Sequence, residues 1–206
     1  LDIRDYQVQT MIDHCTFAHT SGGSSQFDAA VHIRGEYPIT FTNNTIYDNG
    51  GTIFSEYLSM ANSINANNTF HNPANIAQVN VRQGVYLGYT SDVFTANTNF
   101  TVTELPYVIL GHYPSIDDNV SVTLSDNVIL KFEAGADMAI RTANYAEFVN
   151  GQGTGVLLTS LMDDTGGDSN GDGAATSPGN GDWVGIYDRS NANQYLTWGN
   201  IVYDSH

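Results

Sequence analysis

Asp163, Asp164, Asp168, Asn170, Asp172 and Asp182 fall within one Gly-rich stretch and are the side chains whose types and spacing best suit chemistry. Asp168-Ser-Asn170-Gly-Asp172-Gly173 puts side-chain oxygens at alternating positions, ahead of a glycine that permits a sharp turn. A hard cation such as Ca²⁺ collects oxygen ligands in this way. An EF-hand would require a glutamate at the twelfth position, where Gly179 stands, and helices on both sides, which the sequence lacks. The expectation is a simpler, structural calcium loop. Asp168, Asn170 and Asp172 are its first ligands, and Asp163, Asp164 or Asp182 supply the remaining oxygens. Carboxylates crowded on one short loop repel one another, and a divalent cation would remove that repulsion while fixing a floppy segment. The plainer alternative is a solvated acidic loop with no ion.

Other groups offer less. Asp117 and Asp118 with Asp126, or Asp48 with Asp92, would need to face each other across a groove to cleave a polysaccharide. Exposed turn carboxylates explain them more simply. The six histidines share no metal spacing, and His14 and His19 suit corner or surface positions. Cys15 is the only cysteine, which excludes an intrachain disulfide and a thiolate cage. It reads as a small buried residue rather than a nucleophile. No residue takes a catalytic role, and the chain is expected not to be an enzyme. Asn43, Asn67, Asn99 and Asn119 head glycosylation-type triplets, which an Asn/Thr-rich composition produces by itself. Twelve tyrosines could stack on sugar rings, although tyrosine is also ordinary on β surfaces.

The 206 residues suffice for a continuous apolar core, and 41% hydrophobic content excludes intrinsic disorder. Six basic against 22 acidic side chains give a net charge of −16. A nucleic-acid groove would have almost nothing with which to neutralise phosphates, and anionic membrane surfaces are disfavoured too. No apolar run approaches the ~20 residues of a membrane helix, so no membrane insertion is expected. The sequence opens on Leu1 without a charged-then-apolar leader, as in a processed chain or a piece of a longer one.

The elements that must position the acidic loop are strands. Val31–Ile33, Ile39–Phe41, Val79–Val81, Val85–Leu87, Val108–Leu110, Val120–Leu124, Val128–Phe132, Val156–Leu158 and Ile201–Tyr203 are short apolar-rich segments, many alternating with polar residues. Asn-Gly, Asn-Asn, Gly-Gly and Asp-Asn clusters between them favour turns. Thr42-Asn43-Asn44-Thr45-Ile46 is echoed by Ala66-Asn67-Asn68-Thr69-Phe70, and more weakly by Asp13-His14-Cys15-Thr16-Phe17. These offsets match one turn of a parallel β-helix, in which equivalent residues stack ~4.8 Å apart. The expected fold class is therefore all-β, a parallel β-helix (solenoid) with asparagine ladders at its corners and Phe17, Ile46 and Phe70 stacked inside. A β-sandwich with coincidentally similar strands is the alternative.

From Asn99 to Ile186 the chain carries Leu105-Pro-Tyr-Val, Val120-Ser-Val-Thr-Leu, Val128-Ile-Leu-Lys-Phe-Glu-Ala-Gly-Ala, the acidic loop and then Gly181-Asp-Trp183-Val-Gly-Ile. This run resembles the large secreted right-handed parallel β-helix repeat proteins of bacteria and archaea. The resemblance implies a right-handed β-helix, an extracellular or cell-surface location and calcium binding, and it implies no catalytic reaction. Residues 1–206 read as one unit, with Asn-rich coils over 1–97 and coils carrying the inserted loop (163–182) over 98–206. Both ends carry strand signatures rather than caps, Leu1–Tyr6 at the start and Tyr195–Tyr203 at the finish, and Ile201 would precede Phe17 of a following copy by about one coil. The expected partners are other copies of the chain, stacked head to tail covalently as tandem repeats or noncovalently as subunits of a filament, sheath or adhesin stalk, with surface carbohydrate as a further partner. A carbohydrate-binding or carbohydrate-cleaving protein is the alternative function.

Overall fold

Short alternating segments punctuated by Gly, Asn and Asp are too brief for helices, and they satisfy their backbone groups by pairing with distant strands. The computed structural model describes residues 1–4, 9–20, 28–64, 66–141 and 147–206. Among the described residues it is all-β apart from one short 3-10 turn, Leu58–Ser63. Among the described residues no helix is long and apolar enough to cross a membrane. A seven-stranded sheet runs through Asp2–Ile3, Val31–Ile33, Gly51–Tyr57, Arg82–Ser91, Tyr107–Ile109, Ile129–Phe132 and Leu157–Ser160, in sequence order. Every neighbouring pair in it is parallel. The expected strand at Leu1–Tyr6 is seen as Asp2–Ile3, while Asp5 and Tyr6 lie outside the described residues.

Between visits to this long sheet the chain passes through two further strand positions. In the second half these are a five-stranded sheet beginning Val93–Phe94, Ser115–Ile116, Asp137–Ile140, and a three-stranded sheet, Thr98–Phe100, Val122–Leu124, Phe148–Val149. In the first half Met11–Asp13 pairs with Thr40–Thr42, and Thr16–Ala18 with Thr45–Tyr47. Single parallel bridges, Phe41 to Ile64 and Thr45 to Thr69, extend those two pairings by one further segment. An antiparallel hairpin, His71–Asn72 with Asn75–Val79, follows these bridges.

Side chains alternate across the long sheet. Val31, Ile53, Val85, Tyr107, Leu130 and Leu158 form one inward row, each at most 1% exposed. Between the inward rows lies an outward one, His32, Phe54, Tyr86, Val108, Lys131 and Thr159. Burying a side chain of Leu, Ile or Phe size stabilises by about 1.5–3 kcal/mol, so the inward rows dominate the favourable side of folding.

The internal repeat falls in the register its sequence implies. Phe17 pairs with Ile46 and Thr16 with Thr45, and Thr45 bridges Thr69. Two asparagine ladders line the corners. The Asn44 Oδ1 accepts from the Cys15 N–H and the Asn68 Oδ1 accepts from the Asn44 N–H, at spacings of 29 and 24 residues. Asn49 and Asn80 repeat the arrangement beneath Thr20. Each amide nitrogen donates to a carbonyl one circuit back: Asn44 to Ile12, Asn68 to Phe41, Asn49 to Phe17 and Asn80 to Ile46. His14, Asn43, His19 and Asp48, each just before a corner position, adopt left-handed backbone with φ between 53° and 61°. His and the Asx residues tolerate this best after glycine.

Two expectations are corrected. Cys15 is exposed rather than buried, because it stands on the first circuit with no described residue stacked outside it. Ile201–Tyr203 forms no strand. Ile201 makes a single bridge to Leu158, and the preceding Gln194–Tyr195 turns back antiparallel against Gly185–Asp188. Ile201, Leu196 and Trp198 pack on the core at this end, so it is covered.

Candidate functional site

The acidic stretch leaves the long sheet after Ser160 and folds back over its outer face. Tyr86, Val108, Lys131 and Thr159 supply an outward row that would otherwise meet water, and the stretch covers part of it. The Tyr86 hydroxyl donates to the Ser169 carbonyl at 2.5 Å, and the Ser169 hydroxyl to the Gln83 carbonyl at 2.7 Å. The Gln83 N–H donates to the Asp168 carbonyl, and the Arg82 Nε to the Asn170 carbonyl. Glycine is required where the segment touches down. At Gly167 and Gly171, both at positive φ, a Cβ would stand 2.9 Å from Gln83 Cβ and 2.7 Å from Arg82 Cγ. Beyond the loop, Trp183 stacks on Phe132 with ring centres 4.4 Å apart and donates from its indole nitrogen to the Val202 carbonyl.

Lys131 is the electrostatic centre of this region. Its side chain is fully buried, and its Nζ donates to the Gly167 carbonyl at 2.6 Å. Burial pulls its pKa down to about 8, while Asp163, Asp164 and Asp168 nearby oppose the fall. Asp163 accepts from the Thr159 hydroxyl at 2.8 Å and from the Thr165 N–H at 2.9 Å. Burial would raise its pKa, but those hydrogen bonds and Lys131 leave it below the usual carboxylate value. Asp164 is pushed the other way, by burial and then by Asp168, and its Oδ1 is buried with no hydrogen-bond partner.

The six predicted ligands are thus divided. Asp163, Asp164 and Asp168 share the field of Lys131. Asn170 donates to the Asp172 carboxylate at 3.0 Å. Asp168 accepts from the N–H groups of Gly171 and Gly173, and Asp172 from those of Ala175 and Thr176. Asp182 lies at the loop exit and caps the Gly179 N–H at 2.8 Å. Among the described residues no three His, Cys, Asp or Glu side chains are grouped as a metal would need. Asn170 and main-chain carbonyls are the other oxygens that the loop could offer.

The weaker candidates are also placed. Asp118 pairs with Arg141, Asp126 accepts from Asn150, and Asp48 is engaged by His19 and Gln78. Asp117 is exposed on a turn and folds its carboxylate onto the Asp118 N–H. Asp92 sits apart from these, beside Gly111. Asn43, Asn67, Asn99 and Asn119 are all exposed. No family model matches this chain, and neither a curated protein nor a solved structure does so.

Proposed function

We propose that this chain is a right-handed parallel β-helix serving as a structural unit of an extracellular or cell-surface filament, sheath or adhesin stalk. Copies meet head to tail, Ca²⁺ stiffens the acidic loop, and the chain has no catalytic role. The supporting observation is the unequal cover of the core at its N-terminal face. Ile3, Ile12 and Phe17 head the same columns as Ile33, Phe41 and Ile46. The second set is at most 1% exposed, whereas the first is only half-buried. Among the described residues the strands Asp2–Ile3, Met11–Asp13 and Thr16–Ala18 are paired on one side only. Edge strands with free N–H and C=O groups, flanked by apolar columns, accept further backbone. Head to tail, this edge meets the C-terminal cover of the next copy, Leu196, Trp198 and Ile201, and repetition of one such heterologous contact extends into a filament.

Ile201 stands in the column of Leu158 and Phe17 in a different one, with Ile46, so the expected succession of Ile201 by Phe17 of a following copy does not run along one column. At −16 per copy, charge repulsion opposes association, so salt or a divalent cation favours it. The fit of Ca²⁺ to the loop is partial. The buried Asp164 oxygen lacks a partner beside Asp168, but Lys131 already supplies a cation and Asp168, Asp172 and Asp182 cap turns.

Electron microscopy of the purified protein with Ca²⁺ and with a chelator tests the reading. Filaments or end-to-end strings are expected, shortening on chelation, and Ile12→Asp should abolish them without changing the β signature in circular dichroism. Isolated monodisperse particles under every condition contradict stacking, and unchanged assembly and melting after chelation remove calcium from it.

A further inference from the structure

Where strands of the long sheet give way to the next sheet, the turn Gly111-His112-Tyr113 stacks beside Tyr89 and Asp92 of the preceding circuit and Glu133 of the following one. Together they line an open cleft of about 350 Å³. Tyr89 and Tyr113 are 67% and 70% exposed, the two most exposed tyrosines among the described residues. The Tyr89 ring is braced edge-on by Phe54, with ring centres 6.4 Å apart, so its outward surface is held in place. Two carboxylates converge on the floor. Glu133 Oε2 accepts from the Gly111 N–H at 2.9 Å, and Asp92 lies so close to Gly111 that a Cβ there would meet its Oδ1 at 2.2 Å. Gly111 also has a φ of +103°, so glycine is required on both counts.

We propose that this cleft binds a neutral oligosaccharide. Rigid amphipathic rings on a concave surface offer flat apolar faces to the C–H face of a pyranose, and carboxylate oxygens with spare acceptor capacity bind its hydroxyls. Among the described residues no Lys or Arg lines the cleft and His112 is its one basic group, so an acidic polymer would meet two carboxylates with no permanent counter-charge. A second cleft, lined by Tyr37, Tyr57 and Glu36, reaches Val93, the residue after Asp92.

Calorimetric titration with cellohexaose, maltohexaose and chitohexaose tests the proposal, with hexagalacturonate as the charged comparator. At least one neutral hexaose should bind at millimolar or lower concentration, and Tyr89→Ala with Tyr113→Ala should weaken it at least about tenfold while the circular dichroism is unchanged. Asp92→Asn should weaken it less, since an amide oxygen still accepts. Absence of binding by all three neutral sugars, preference for hexagalacturonate, or binding indifferent to both tyrosines would each overturn the proposal.

Discussion

The asparagine corners and the acidic loop both tie turning backbone with polar side chains, and they do it by opposite means. At a corner one side chain accepts from the circuit before it and donates to that circuit's carbonyl, and its own N–H goes to the next asparagine, as Asn44 does between Cys15, Ile12 and Asn68. A neutral amide has both donor and acceptor, so the pattern can be repeated from circuit to circuit. A carboxylate only accepts. Asp168 and Asp172 therefore close on N–H groups at most five residues away, and each bond set ends there. The loop is held to the molecule instead by single contacts to the long sheet, those of Tyr86 and Lys131 from the outward row and that of the loop's own Ser169 to the Gln83 carbonyl. A repeated support needs Asn. A single excursion can use Asp, provided that a buried cation answers it.

This contrast can be broken directly. Asn44→Asp is isosteric, yet it would turn a carboxylate oxygen toward the Ile12 carbonyl and the Asn68 Oδ1 in a side chain 1% exposed. A loss of about 3–5 kcal/mol at pH 7 is expected in urea unfolding, diminishing as the pH falls toward 4 and the carboxyl takes up a proton. The loop is tested next through Lys131, whose pKa is about 8 when folded against an ordinary 10.5. The unfolded chain then binds more protons between those values, so the Lys131 contribution to stability rises as pH increases across that window. The difference in unfolding free energy between wild type and Lys131→Met should move in favour of wild type by on the order of 2 kcal/mol from pH 8 to 10.5. Tyr86→Phe deletes one hydroxyl and strands the Ser169 carbonyl, and should cost about 1–2 kcal/mol, read also as faster amide exchange in the loop. Cys15→Asn sharpens the comparison from its quiet end. It adds a ladder residue with no described residue outside it to hold, so dilute monomer should melt within about 0.5 kcal/mol of wild type.

The parts of the molecule built by repetition were legible in the sequence, and the parts built by long-range contact were not. Asn followed by Thr and an apolar residue recurs at the offsets that the strands adopt, because stacking forces like residues onto like positions. The burial of Cys15 was misjudged since sequence periodicity says nothing about whether a neighbour lies outside a given circuit. Spacing exposed the acidic loop as a unit, but not its seat: its partners Arg82, Gln83 and Tyr86 lie 83 to 88 residues away. Lys131 was visible only as the single lysine of the chain, although its place between Leu130 and Phe132 in an alternating strand marks it as outward-facing. Tyr89 and Tyr113 are spaced like successive circuits, a signal that the count of twelve tyrosines concealed.

The half-covered N-terminal face carries the functional account, and amide hydrogen exchange on its edge strands measures it most directly. Protection of the outward-edge amides in Met11–Asp13 and Thr16–Ala18 should increase with protein concentration and with Ca²⁺, while that of the inner strand Ile129–Phe132 stays constant. Protection of those edge amides that is independent of concentration would show that the face meets no second copy, and would contradict the account.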